Sequence, residues 1–354
     1  MIDAEKVFNN QYLALYLIAT LFVIFFLIED NFKNIKHYKI KSFFVLSFGF
    51  LFLILFGFRD LNVGVDTQIY TLGFESRKSV FKDFGFKYFT LLLKGITNTR
   101  GFLLTIATIY IAVFFAFLRN WNKEIICYTF FMYISLFFFK NMGMNVVRQG
   151  ISCAIFLLAI SVHKKGKFLL SFILFVLSFS FQASIIIPIA VWFGSKFISL
   201  KKAIVFLIIC SGLSIAGFGL NKLTGFLPLL SSVFDDRFNT YLDGTGGKDY
   251  IIGFRANFFA FNWFFVIIGL WINKKIYTDE LQNKILRVFI ILSGIFFLYF
   301  TIPFSDRIGL LSWIFIPLIF APFFNNLQIP AKYRIGTFGL FFVLFFIFVI
   351  FPSK

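Results

Sequence analysis

Apolar runs of roughly 17 residues recur along the chain from Tyr12 to Phe351, separated by short polar turns, and each run can cross a hydrocarbon core about 30 Å thick at 1.5 Å rise per residue. The pattern predicts spans near 11–28, 42–58, 101–118, 124–140, 145–162, 168–181, 183–195, 203–220, 254–272, 285–301, 309–324 and 335–351. The fold class expected is therefore all-α: a polytopic integral membrane protein of about 11–12 transmembrane helices, forming a single transmembrane domain over residues 1–354. Two longer polar intervals interrupt it, a first loop at 59–100 and a second at 221–253. Residues 168–195 read either as one long tilted helix or as two short segments meeting at Phe181-Gln182-Ala183-Ser184.

Charge orients this frame. With two short segments and an outside N-terminus, the turns 29–41, 119–124, 163–167, 196–202, 273–287 and 325–334 face inward and hold 18 of the 34 Lys and Arg but 5 of the 16 Asp and Glu. Basic residues collect on the inner side of membrane proteins, so this orientation is preferred to one that sends Lys196, Lys201 and Lys202 outward. It places both long loops, and every unusual polar cluster, on the outer face. The N-terminal stretch lacks the basic region and cleavage site of a signal peptide, so the first run is expected to remain as a span.

Composition agrees with a lipid solvent. Hydrophobic residues make up 60% and charged ones 14%, against about 25% charged in a soluble domain, and mean hydropathy is +0.89. The net charge of +18 would suggest nucleic acid in a soluble protein, but here the basic residues occupy turns between spans, which argues against that partner. The 61 Phe are read as lipid-facing or interhelical side chains. Cys127, Cys153 and Cys210 lie in or beside apolar runs without metal-ligand spacing and are read as small buried hydrophobes.

The chemistry-bearing clusters follow from position. Arg148, near Asn141, Asn145 and Gln149, opens a span, and a guanidinium at the positive end of a helix is a seat for phosphate or pyrophosphate; an interfacial arginine reaching for headgroups is the plainer alternative. Arg59, Asp60 and Asp66 mark the start of the first outer loop among glycines that permit tight turns. A partly buried carboxylate there could act as a general base, Arg59 and Asp60 could equally be an interfacial ion pair, and Asp66-Thr67 resembles a helix cap before Tyr70. Residues 80–96, with Lys82, Lys87 and Lys94, read as an amphipathic helix on the outer surface. Asp306 and Arg307 form a second cationic turn, and Asp235, Asp236, Arg237 and Tyr241 occupy the other outer loop.

Other chemistries find little support. No third ligand accompanies Asp235 and Asp236, so no metal site is assigned, and the glycines of 243–249 lack the strand and GK[ST] of a phosphate loop. His37 and His163 fall in inner turns, away from the proposed working face. A lipid-linked oligosaccharide flippase or other transporter would carry charges deep within its spans, whereas here they gather at span ends. An O-antigen ligase or membrane acyltransferase would be expected to present an outward histidine.

The ordered set R-D-L-N-V-G-V-D-T-Q-I-Y at 59–70, N-V-V-R-Q-G-I-S at 145–152, F-Q-A-S at 181–184 with Pro188 beyond it, and D-R-I-G-L-L-S-W at 306–313 resembles the EpsG family of bacterial polysaccharide polymerases, similar in role to Wzy-type repeat-unit polymerases. The resemblance implies a glycosyltransferase-type enzyme of the bacterial inner membrane, with a GT-C-like helical bundle as one arrangement. Its implied reaction joins undecaprenyl-pyrophosphate-linked repeat units into an O-antigen, capsule or exopolysaccharide at the outer face. Arg148 and Arg307 would bind pyrophosphate and Asp66 would orient or deprotonate the acceptor; Arg59, Asp60, Tyr70, Asn145, Gln149, Gln182, Arg237, Tyr241 and Asp306 would line the substrate. The partners implied are lipid-linked glycan, membrane lipid and a chain-length regulator protein. No cofactor is required, because pyrophosphate is already a good leaving group. Where the family often has histidine in the turn between the short segments, this chain has Gln182, which cannot titrate but can hydrogen-bond.

Overall fold

A computed structural model describes residues 3–32, 37–76, 81–219, 252–276, 279–325 and 329–350. In chain order its α-helices are α1 (Ala4–Phe32), α2 (Tyr38–Gly57), α3 (Thr67–Glu75), α4 (Phe84–Lys94), α5 (Thr99–Trp121), α6 (Ile126–Ile134), α7 (Phe137–Met144), α8 (Val147–Lys164) and α9 (Phe168–Phe181). Then come α10 (Ile186–Gly194), α11 (Leu200–Ile215), α12 (Ala256–Lys275), α13 (Glu280–Leu298), α14 (Asp306–Trp313), α15 (Ile316–Phe320), α16 (Pro322–Asn325) and α17 (Ala331–Phe345). No strand occurs among the described residues. The chain is an all-α, multi-pass membrane protein.

Among the described residues, seven helices are long and apolar enough to cross a membrane, or eight if the bent pair α7 and α8 forms one span. They match seven of the twelve expected segments. Of the other five, 145–162, 168–181, 183–195 and 203–220 coincide with the shorter α8, α9, α10 and α11, so 168–195 is two short segments meeting at 181–184, and only 124–140 is split, into α6 and α7. The expected span at 124–140 breaks at Ser135 and Leu136, where Leu136 is extended, and α7 meets α8 at 118°.

Helix breaks in lipid survive only where the released backbone groups find protein partners. At this break Tyr12 Oη donates to the freed Ile134 carbonyl at 3.0 Å and Tyr16 Oη lies 3.2 Å from Ser135 Oγ, while Tyr110 Oη donates to the Phe139 carbonyl of α7 at 3.2 Å. Apolar periodicity gives no sign of such a break, because both arms remain apolar.

The chain forms two compact units, one of residues 1–185 and 323–354, the other of 186–322. In the first, α8 packs closely on α5 and α9. Its contact with α9 is sewn by serines: Ser152 Oγ donates to the Ser178 carbonyl and Ser178 Oγ to the Ser152 carbonyl, both at 2.8 Å, and Ser171 Oγ donates to the Ala159 carbonyl at 3.0 Å. Small polar residues let membrane helices approach while satisfying each other. The returning α17 stacks Phe345 on Tyr16 and Tyr12 of α1.

Asp30 and Lys41, read from sequence as charges in an inner turn, are instead buried on α1 and α2. Lys41 Nζ lies 2.5 Å from Asp30 Oδ2, which also accepts from Tyr128 Oη at 2.7 Å. The helices run further than hydropathy suggests because these ends neutralise each other; a buried charge persists when paired and hydrogen-bonded.

In the second unit, α13 is the central helix, packed by α11, α12 and α14. Asp279 caps it, accepting from the Gln282 N–H at 2.8 Å, and buried Asn262 of α12 accepts from Ser293 Oγ of α13 at 2.9 Å. Cys127, Cys153 and Cys210 are buried free thiols. Phe side chains fill both roles foreseen for them, with Phe52, Phe56, Phe102 and Phe117 fully buried and Phe25, Phe43 and Phe50 on the outer surface.

Candidate functional site

In the first unit three sequence motifs converge on the bend between α7 and α8. The bend forms at Val146, which leaves helical geometry, while the N–H groups of Asn145 and Val146 both donate to the Asn141 carbonyl, at 2.8 and 3.0 Å. Arg148 then falls at the second residue of α8, within the turn where backbone N–H groups give a helix its positive end.

Arg148 is largely buried. Its Nη1 pairs with Asp83 Oδ2, and its guanidinium carbon lies 5.8 and 5.9 Å from the ring centres of Phe81 and Phe86. The other oxygen of Asp83 accepts from the Ala183 N–H at 3.1 Å. Gln182, at the end of α9, is extended, and this turns the Ala183 amide away from the helix and toward Asp83. One carboxylate thus joins the start of α8, the start of α4 and the F-Q-A-S turn. Asp83 did not stand out in the sequence, where the basic residues of 80–96 dominated; an aspartate directly before an amphipathic helix reads simply as a cap.

The motif at 59–70 folds back on the same bend. Asp60 accepts from the Asn62 N–H through Oδ1 at 2.9 Å and from the Val63 N–H through its carbonyl at 3.0 Å, forming a tight turn. Gly64 follows with φ of 85°, and a Cβ there would lie 2.5 Å from Asn145 Oδ1. Glycine is thus required by the backbone angle and by the closeness of the bend.

Arg59 is 3% exposed, and its nitrogens are taken by the protein: Nε by Thr67 Oγ1 at 3.1 Å, Nη1 by the Phe56 carbonyl at 2.5 Å and Nη2 by the Met144 carbonyl at 3.2 Å. Burial lowers its pKa to about 10, with Tyr70 acting to raise it and Arg100 to lower it, so it stays charged at neutral pH. Arg59 therefore ties the loop to the bend, and among the described residues it forms no ion pair with Asp60, which is exposed.

Asp66 is half-buried at the N-cap of α3 without a side-chain cap bond, and its carbonyl accepts from the Tyr70 N–H. Tyr70 is buried against Phe81 and Phe86, so it backs the rings that flank Arg148. Gln149 is buried beside Arg148, whereas Gln182 is half-buried. Asn145 Nδ2 donates to Asn141 Oδ1 at 2.9 Å, while Asn145 Oδ1 is buried without a hydrogen-bond partner among the described residues.

In the second unit Asp306 and Arg307 open α14, both half-buried. The turn before them is strained: Phe304 has φ of 58°, unusual for an aromatic residue, and its ring centre lies 4.9 Å from the Arg307 guanidinium carbon. Ser305, 1% exposed, holds a hydroxyl with no hydrogen-bond partner among the described residues. Arg237 and Tyr241, with Asp235 and Asp236, lie outside the described residues.

A multi-pass helical frame, a bend opening onto a buried arginine and a carboxylate bridging that arginine to a second helix turn define a membrane protein with a buried arginine–carboxylate pair at the bend. The family model for EpsG matches residues 41–353, and the chain belongs to the EpsG family, a Wzy-type polysaccharide polymerase-like family. No curated protein sequence and no solved structure gives a significant match to the chain. Family membership supports a general role in polysaccharide polymerisation.

Proposed function

We propose that the protein polymerises undecaprenyl-pyrophosphate-linked oligosaccharide repeat units into a surface polysaccharide at the outer face of the bacterial inner membrane. The observation carrying this reading is the cradle at the bend, where Arg148 and the Ala183 N–H already converge on the two oxygens of one anion. Pyrophosphate offers the same oxygen edge with more charge, and arginine matches it with a planar fork of donors.

In the proposed reaction a sugar hydroxyl of one lipid-linked repeat attacks the anomeric carbon of the growing glycan. The new C–O bond forms as the bond to undecaprenyl pyrophosphate breaks, and the electron pair leaves with the pyrophosphate. Arg148 stabilises that developing charge and Asp66 accepts the hydroxyl proton. Asn145 and Gln182 offer amide groups to sugar hydroxyls, whereas Arg59 and Tyr70 act behind the site, holding the loop and the rings.

The test is the surface-glycan ladder from a strain lacking the protein and from strains restored with wild type or Arg148→Ala at equal expression. The expected result is a single repeat unit without longer bands in both the deletion and the Arg148→Ala strains. Loss of even the single repeat would favour export or ligation, and an unchanged ladder would overturn the glycan reading.

A further inference from the structure

We propose that Asp83 is a positioning carboxylate that fills the diphosphate seat of Arg148 when substrate is absent and is displaced by the substrate's phosphate oxygens. This rests on the reading that Arg148 receives a diphosphate.

The geometry of α4 carries the inference. Asp83 is the N-cap residue of α4, with extended backbone angles of −60° and 119°, and an aspartate there ordinarily turns back to accept from its own helix's first N–H groups. It makes no such bond. Both oxygens instead face away, one to Arg148 and the other to the Ala183 N–H. The helix forgoes its cap so that the carboxylate can serve as an anion for another element.

Aromatic packing anchors the body of α4, with Phe86 fully buried against Tyr70, Phe81 and Phe102, so the movement is a turn of the Asp83 carboxylate. Phe86 and Phe89 pack on Phe181 with ring centres 6.3 and 5.8 Å apart. Gly85 lies so close to Ser180 that a Cβ would sit 2.8 Å from the Ser180 Cβ, which lets the start of α4 rest flat on the end of α9. The outer face, with Phe84, Tyr88 and Leu92, is exposed. A diphosphate entering the seat takes the two donors, and the freed carboxylate can turn back to cap α4. After transfer, Asp83 competes with the leaving undecaprenyl pyrophosphate for the same donors and favours its release. The two positions of one carboxylate give the element two states biased by ligand.

The test uses the full chain in phosphatidylcholine nanodiscs, titrated calorimetrically with inorganic pyrophosphate and with farnesyl diphosphate. Asp83→Asn, whose amide oxygen can still accept from Ala183, is expected to tighten binding roughly tenfold, because a neutral group competes poorly for a guanidinium. Asp83→Glu should stay near wild type, and Arg148→Ala should abolish the gain when added to Asp83→Asn. A gain in affinity is not an effect that misfolding produces. Unchanged or weaker binding in Asp83→Asn overturns the proposal.

A second measurement leaves Asp83 in place: a fluorophore on Tyr88→Cys should change its signal as pyrophosphate saturates the protein. A constant signal at saturation also overturns the proposal. The two readings separate cleanly. Tightened binding in a protein that leaves the glycan ladder unchanged on deletion would keep the carboxylate switch and remove the polymerase, while a normal wild-type ladder dependence with unaltered Asp83→Asn affinity would do the reverse.

Discussion

Arg148 and Arg307 occupy matching positions, each the second residue of a helix that follows a break, yet the two turns are built differently. At Arg307 the mark is backbone strain close in sequence: Phe304 is bent into the left-handed region, with its ring centre 4.9 Å from the guanidinium carbon. Arg148 meets partners from distant parts of the chain, with Asp83 65 residues away in sequence, Phe81 and Phe86 on either side of Asp83, and Ala183 beyond the end of α9. A cradle assembled from three elements can open when one of them moves, which is what a site must do to admit a substrate and release a product.

Mutations can break this contrast, and the largest effect is expected at Arg148. Arg148→Lys keeps the charge but loses the planar fork, and polymer yield should fall by about a hundredfold or more. Arg307→Lys, where the guanidinium lies over the Phe304 ring, should cost about tenfold; equal losses in long glycan bands would show that the two turns are used alike.

Stability effects come next. Arg59→Met removes donors from the buried Met144 and Phe56 carbonyls, and about 3 kcal/mol should be lost, read as a lower denaturation midpoint in detergent. Arg59→Lys should restore part of that loss, because a lysine can reach one carbonyl but not three partners.

Gly64→Ala places a Cβ against Asn145 at a positive φ and should cost about 1–2 kcal/mol, with a shortened but present glycan ladder. The smallest effect is expected for Ser152→Ala on the α8–α9 seam, about 0.6 kcal/mol, because Ser178 keeps its own bond to the Ser152 carbonyl. A Ser152→Ala loss larger than that of Gly64→Ala would mean that the α8–α9 seam, and not the loop contact, holds the bend.

The candidate site was legible in part. Arg148, Asn145 and the F-Q-A-S turn were marked by polar residues at the ends of apolar runs, and the structure brings them together with the 59–70 loop. Arg59 reads in sequence as an interfacial ion-pair partner or a substrate-lining residue, not as a clamp with all three nitrogens on protein acceptors, because carbonyl partners leave no trace in sequence. Asp83 was silent for the same reason: its meaning depends on Arg148 and Ala183, which tertiary packing alone delivers.

What the sequence by itself determined is the membrane class and the helices at both ends of the chain, since partition into lipid depends on local hydropathy and each long apolar helix satisfies its own backbone. Tertiary structure alone decided the middle, where the expected span at 124–140 breaks, with Tyr12 of α1 holding the freed Ile134 carbonyl, and α7 then turns through 118° into α8. It also decided that Asp30 and Lys41 are buried partners and that Asp83 faces Arg148. Hydrophobic pattern is a property of neighbours in sequence, whereas a satisfied break, a buried ion pair and an anion seat are properties of neighbours in space.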